Sequence, residues 1–193
     1  MTTMDLATLE QYSHRKVWTR DEAAKIHELL PECRYELIEG DLIDKMGQNP
    51  THARMIVVLN RILAVAFPGR VRIQLPITLP EPEGNRSEPE PDVVLVHRED
   101  FDHGDQHPRP QDIALLIEVS DSTLLIDRDI KGPLYARNGV ETYWIVDVQR
   151  QRVLVFYNPA NGQYKNIQVY DRHEQIAFSD FLLNVDELFP TTA

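Results

Sequence analysis

Two hydrophobic periods, one near 3.6 residues and one of 2, divide the chain into helices and strands. Residues 50–67 (PTHARMIVVLNRILAVAF) place Met55, Leu59, Ile62, Leu63 and Ala66 on one stripe at helical spacing. Ile56, Val57 and Val58 widen the stripe, so a long helix buried over much of its circumference is expected, ended by Pro68-Gly69. An earlier helix begins after Thr19, which with Glu22 fits a capping box, and runs to Leu30 with Pro31 beyond. Between them, RYELIEGDLIDKM at 34–46 sets two short apolar stretches around Glu39-Gly40-Asp41 and reads as a β-hairpin. Residues 71–79 read as a strand that Pro76 confines to an edge or a bulge. Residues 80–91 (PEPEGNRSEPEP) offer too little to bury and predict an exposed loop.

The second half is more regular. DVVLVH at 92–97 is a strand. IALLIEV at 113–119 is an almost unbroken apolar run, which suits a central strand covered on both faces. Residues 127–138 predict a helix capped by Gly139, its regular part beginning near Asp129 because Pro133 is tolerated mainly in a first turn. A strand follows at 141–148. RVLVFY (152–157) and YKNIQVY (164–170) flank a turn at 158–162, and a short helical pattern runs from Val185 to Phe189. The strand–helix–strand unit between 113 and 148 implies a parallel pair with a right-handed crossover. The fold class expected is α/β: a mixed β-sheet flanked by helices, with additional β-hairpins. Residues 1–33 form an N-terminal extension with one helix, and 34–193 a single domain.

Composition adds limits. Of 193 residues, 42% are hydrophobic and 26% charged, ordinary globular values that allow a sizeable core. The single cysteine, Cys33, cannot form an internal disulfide, and no apolar run reaches the roughly 18 residues of a spanning helix. The expectation is a cytoplasmic protein with no membrane partner. The net charge of −11 weighs against general DNA binding, which depends on Lys and Arg neutralising phosphates. Carboxylates that hold metal ions would themselves add negative charge.

Three residues carry candidate chemistry. Asp92 opens a strand after Pro91. Glu118 lies near the end of an apolar strand, where an ionised carboxylate is costly unless paired or metal-bound, so it belongs at the strand's C-terminal mouth. Lys131 shares a helical face with Leu134, Tyr135 and Asn138 and so points toward the sheet. Two carboxylates and an ammonium at one mouth suit phosphodiester hydrolysis: hard oxygen donors for Mg²⁺ or Mn²⁺, and a cation for the phosphate. The plainer alternatives are a Glu118–Lys131 structural salt bridge and an Asp92 that merely ends a loop. His103 and His107 have i, i+4 spacing in a polar stretch that favours solvated side chains. Glu36 and Glu39 alternate with Leu37 and Ile38, which suggests a solvated hairpin face.

Pro91-Asp92 followed by Glu118-Val119-Ser120 resembles the PD-(D/E)XK nuclease superfamily. RYELIEGDLI, His52 at the head of the long helix, PDVVLV, LLIEVSDST and DRDIKGPLYARNGVETYWIVD resemble more closely the Uma-two family of putative restriction endonucleases, over residues 17 to 189. The resemblance implies a restriction-endonuclease-like fold, a metal bound by Asp92 and Glu118 with the Val119 carbonyl, and His52 as an accessory residue. It implies DNA as substrate. The superfamily's lysine usually stands two residues after the glutamate, where this chain has Ser120; the family's helical lysine motif points to Lys131 instead. Gly132 and Glu141 depart from the family pattern, and the acidic loop 81–90 sits awkwardly beside a phosphate path. A non-catalytic nuclease-fold protein that binds nucleic acid or a protein partner is the competing expectation. A metal-free hydrolase of small substrates is a third, disfavoured because Lys131 should keep both carboxylates ionised. A homodimer stays open.

Overall fold

The apolar run at 113–119 becomes the spine of a six-stranded mixed sheet. The computed structural model describes residues 15–45, 49–98 and 106–189. Its helices are α1 (Arg20–Leu29), α2 (Pro50–Ala66), α3 (Leu124–Ile126) and α4 (Gly132–Arg137), the last two joined by a π turn, Asp127–Lys131. Its strands are β1 (Tyr35–Ile38), β2 (Asp41–Asp44), β3 (Val71–Ile73), β4 (Val93–Val96), β5 (Ile113–Ser120), β6 (Thr142–Asp147), β7 (Arg152–Ala160), β8 (Gln163–Tyr170), β9 (Gln175–Phe178) and β10 (Phe181–Asn184). The large sheet has the order β3-β4-β5-β6-β7-β8. Among the described strands only β5 and β6 run parallel, the pair joined through the helical crossover. No helix among the described residues is long and apolar enough to cross a membrane.

Period-2 alternation sends the two faces of the sheet into two cores. Val93, Leu95, Leu115, Ile117, Val119, Trp144 and Val146 meet Met55, Leu59 and Leu63 of α2 and Ile176 and Leu183 of the β9–β10 hairpin. Val94, Leu116, Tyr143 and Ile145 meet Leu134 and Tyr135 of α4, with Ile38 and Ile77 closing the edge. Glu118 follows Leu116 on this second face. The helix expected at 19–30 carries the Thr19–Glu22 capping box in full. The β1–β2 hairpin turns at Glu39-Gly40, both with positive φ.

Several elements depart from expectation. Val57 and Val65 of α2 are 66% and 82% exposed, so its buried face is narrower than the spread of apolar residues suggested. The strand at 71–79 stops at Ile73 because Gln74 enters the left-handed region (φ 50), although Ile77 and Leu79 remain buried. The loop 80–91 is not an exposed coil. Its backbone is stitched to the β1–β2 hairpin by Glu88 N–H to Leu37 C=O (2.7 Å) and Gly40 N–H to Arg86 C=O (2.7 Å), and Ser87 is buried. Backbone pairing, invisible to a burial pattern, orders it. The turn between β7 and β8 is the two-residue pair Asn161-Gly162, both at positive φ, which fits the type I′ twist. The strands therefore continue through Pro159 and Ala160. The β9–β10 hairpin was not foreseen: four-residue strands give too few positions for a period. Only Val185–Glu187 of the C-terminal helical pattern forms a turn, of the 3₁₀ kind.

Candidate active site

The register of β4 on β5 builds the centre. Val93 stands opposite Ile117 and Val94 opposite Leu116, so one further step brings Asp92 beside Glu118. Val119 N–H donates to Asp92 Oδ2 at 2.8 Å, and Asp92 N–H lies 3.4 Å from Glu118 Oε2. Both carboxylates are buried, Asp92 at 6% and Glu118 at 3% exposure. His52, in the first turn of α2, reaches Asp92 Oδ2 with Nε2 at 3.1 Å. Its Nδ1 is buried with no partner among the described residues. The left-handed Gln74 brings its Nε2 to within 3.4 Å of Asp92 Oδ1.

The cation arrives on the π turn. The helix begins at Leu124, earlier than expected, and widens at Asp127–Lys131, where Gly132 N–H bonds to Asp127 C=O. Tyr143 OH donates to that same carbonyl at 3.0 Å. Pro133, which has no N–H, follows directly and helps release the regular ladder. Lys131, 4% exposed, places Nζ 2.6 Å from Glu36 Oε1, 3.0 Å from Glu118 Oε1 and 3.7 Å from Asp127 Oδ1. Tyr135 OH donates to Glu118 Oε1 at 2.8 Å. Asp127 accepts from Ser120 Oγ at 2.5 Å and Thr123 Oγ1 at 2.6 Å. Ser120 thus fixes a carboxylate beside Lys131.

The structure therefore brings Asp92, Glu118, Val119, Lys131 and His52 together. It adds Glu36, Asp127 and Tyr135. The expectation that Glu36 faces solvent is corrected: it is 5% exposed and ion-paired to Lys131, while Glu39 lies outside on Arg137. Glu36 shares its strand face with Ile38, but Leu37 on the other face is buried too, so alternation does not single out the solvated face. Of the histidine pair, His103 lies outside the described residues and His107 is exposed.

Four buried carboxylates surround one ammonium and one imidazole. Burial works to raise the Asp92 carboxyl, but the His52 hydrogen bond, with the Val119 N–H and Lys131, outweighs it and holds the group below its ordinary value. The same contact raises His52. Glu118 moves the other way. Burial, reinforced by Asp92, Asp127 and Glu36, overcomes Lys131 and pushes it up to about 8. Burial and the neighbouring carboxylates thus work against the charge that Lys131 favours on Glu118 in the metal-free protein. Burial also raises Asp127. Lys131 is held well above its usual value: burial opposes its charge, and Glu118, Glu36 and Asp127 prevail.

These directions set a pH dependence. A carboxyl whose folded pKa is raised contributes stability that is full below its unfolded pKa and is lost as pH rises through the folded value. For Glu118 that window runs from about 4.5 to about 8. Raised His52 acts in the same sense above pH 6.5. Thermal melts in chelator should show higher stability at pH 5.5 than at pH 8, with Glu118 supplying at most about 1.4 kcal/mol per pH unit. Glu118→Gln should flatten this slope; an unchanged slope would place the proton elsewhere.

The donor set suits a hard divalent cation. Among the described residues, no group of three or more His, Cys, Asp or Glu side chains forms a metal cage. Mg²⁺ does not need one, since it is commonly bound by one or two carboxylates with water and substrate phosphate completing the shell. The surplus of buried negative charge around Asp92 and Glu118 is what such a cation would balance.

Similarity to known proteins is consistent with this geometry. The Uma2 family model, described as "Putative restriction endonuclease", matches residues 23–188. No curated protein matches the chain. Among solved structures, the fold is similar to that of a putative nuclease belonging to DUF820 from Anabaena variabilis, with a TM-score of 0.63 and 21% identity over 89% of this chain and 97% of that one.

Proposed function

This chain belongs to the Uma2 family, and from that membership and its buried carboxylate–lysine centre we propose that it is a Mg²⁺- or Mn²⁺-dependent endonuclease hydrolysing DNA phosphodiester bonds. One observation carries the reading: Asp92 and Glu118 adjoin across two strands with Lys131 on the second carboxylate. Asp92, Glu118 and the Val119 carbonyl would hold the metal. When bound, it would polarise the phosphoryl oxygen and lower the pKa of bound water. The remaining chemistry belongs to the chain. Val119 N–H and His52 fix the Asp92 carboxylate and keep it ionised. Lys131 and Tyr135 both bind Glu118 Oε1, which leaves Oε2 as the oxygen turned toward Asp92. Lys131 offsets negative charge that develops on the phosphate. His52 Nε2, 3.1 Å from Asp92 Oδ2, stands where a proton can be shared with that carboxylate.

The −11 charge favours a second reading, a nuclease-fold protein that binds without turnover. Titrating Mg²⁺ and Mn²⁺ against supercoiled DNA, linear DNA and RNA, with calorimetry of metal binding, decides between them. Metal-dependent nicking of DNA and metal binding lost in Asp92→Asn are expected. Absence of both across all substrates would reject the enzyme.

A further inference from the structure

The acidic charge of this chain is unevenly spread. Residues 45–80 contain no Asp or Glu, yet they carry Lys45, Arg54, Arg61, Arg70 and Arg72. All 31 acidic residues lie outside this stretch. The stretch includes two of the groups that contact Asp92, His52 and Gln74, so it reaches the centre. Lys45 is taken up by Glu90, and Arg70 Nε donates to the Val96 carbonyl. Arg54 and Arg61 are different. Both are exposed on α2, and neither has an ion-pair partner among the described residues.

Arg54, Val57, Arg61 and Val65 follow one another at helical spacing and form a single outer stripe. The two valines on it are largely exposed. The face also lacks carboxylates, which sets it apart in so acidic a chain. Seven residues separate the two guanidiniums, a rise of about 10 Å, or roughly three phosphate steps along one strand of a duplex. Arg54 stands two positions beyond His52. At its far end the stripe borders a groove lined by Arg61, Ile62, Val65, Phe181 and Glu187.

We propose that the outer face of α2, through Arg54 and Arg61, receives the phosphodiester backbone of the nucleic acid and leads it toward Asp92 and Glu118. This rests on the nuclease reading and supplies the approach that the net charge seemed to deny. The backbone comes in along the acid-free outer face of α2.

The test is binding in chelator, where cleavage is off, of a fluorescent duplex to the wild type, to the double variant Arg54→Gln with Arg61→Gln, and to Lys165→Gln. Lys165, exposed on β8, is the control. Each duplex phosphate contact contributes about 0.9 to the slope of log affinity against log salt. The double variant should lose about 1.8 of slope. Its deficit against the wild type should shrink about tenfold between 50 and 200 mM salt. Lys165→Gln should keep the wild-type slope. A double variant with wild-type affinity and slope overturns the proposal, and does so without touching the nuclease reading if the wild type still binds and, with Mg²⁺, cleaves. A wild type that neither binds nor cleaves overturns both. Unchanged DNA binding with a change of oligomeric state by light scattering in Val57→Ser with Val65→Ser would assign the face to a second copy of the chain instead.

Discussion

Replacing Glu118 with Gln lowers metal-dependent cleavage by about 10²–10³-fold and leaves the protein folded. The activity loss follows from chemistry at one oxygen pair. Gln supplies one weak oxygen donor where the carboxylate supplies charge, and losing a single electrostatic stabiliser of a transition state typically costs 10²–10³-fold. The fold survives because the geometry has spare partners. Lys131 keeps Glu36 at 2.6 Å and Asp127 at 3.7 Å, and the amide oxygen still accepts from Lys131 and Tyr135. At pH 8 in chelator the variant should melt no lower than the wild type, since a repelled buried carboxyl is gone. Cleavage at the wild-type rate in a preparation free of contaminating nuclease would remove Glu118 from the mechanism.

Replacing Lys131 with Met costs both stability and rate. Met fills the space of the alkyl stem, so packing changes little. The ammonium, however, is the shared partner of three buried carboxylates, and breaking a buried pair typically costs about 3–5 kcal/mol. That loss should be greatest at pH 8. It should ease toward pH 5.5, where Glu118 holds its proton, and ease on adding Mg²⁺, which would replace the missing charge. Cleavage per folded molecule should fall about 10²–10³-fold. Thermal melts with and without metal, beside single-turnover assays, separate the two effects. A destabilised variant with undiminished cleavage per folded molecule would make Lys131 a scaffold only.

How legible the molecule was depends on what each residue had to contend with. Glu118 and Lys131 could be placed because an isolated charge in an apolar run must find a partner, and helical spacing tied Lys131 to Leu134 and Tyr135. Glu36 was misplaced because a four-residue strand gives two positions per face, too few to decide which face is buried. Asp127 and the π turn were hidden, since no spacing rule announces an i→i−5 bond. The central strands were evident from continuous apolar runs. The loop 80–91 was not, because its order comes from backbone hydrogen bonds to β1 rather than from side-chain burial. Gln74 shows the same blindness: a left-handed glutamine carries no sequence signature.

The ion pair between Glu36 and Lys131 joins positions about 95 residues apart. On a ribosome adding about 5–20 residues per second, Glu36 would wait roughly 5 to 20 seconds for its cation to be synthesised, and longer for the lysine to clear the exit tunnel. Until then its carboxylate has no reason to leave water, and the β1–β2 hairpin cannot seat its inner face. Assembly of the centre must therefore follow translation of the crossover helix, so a nascent chain that already displays α2 still lacks the machinery to cut.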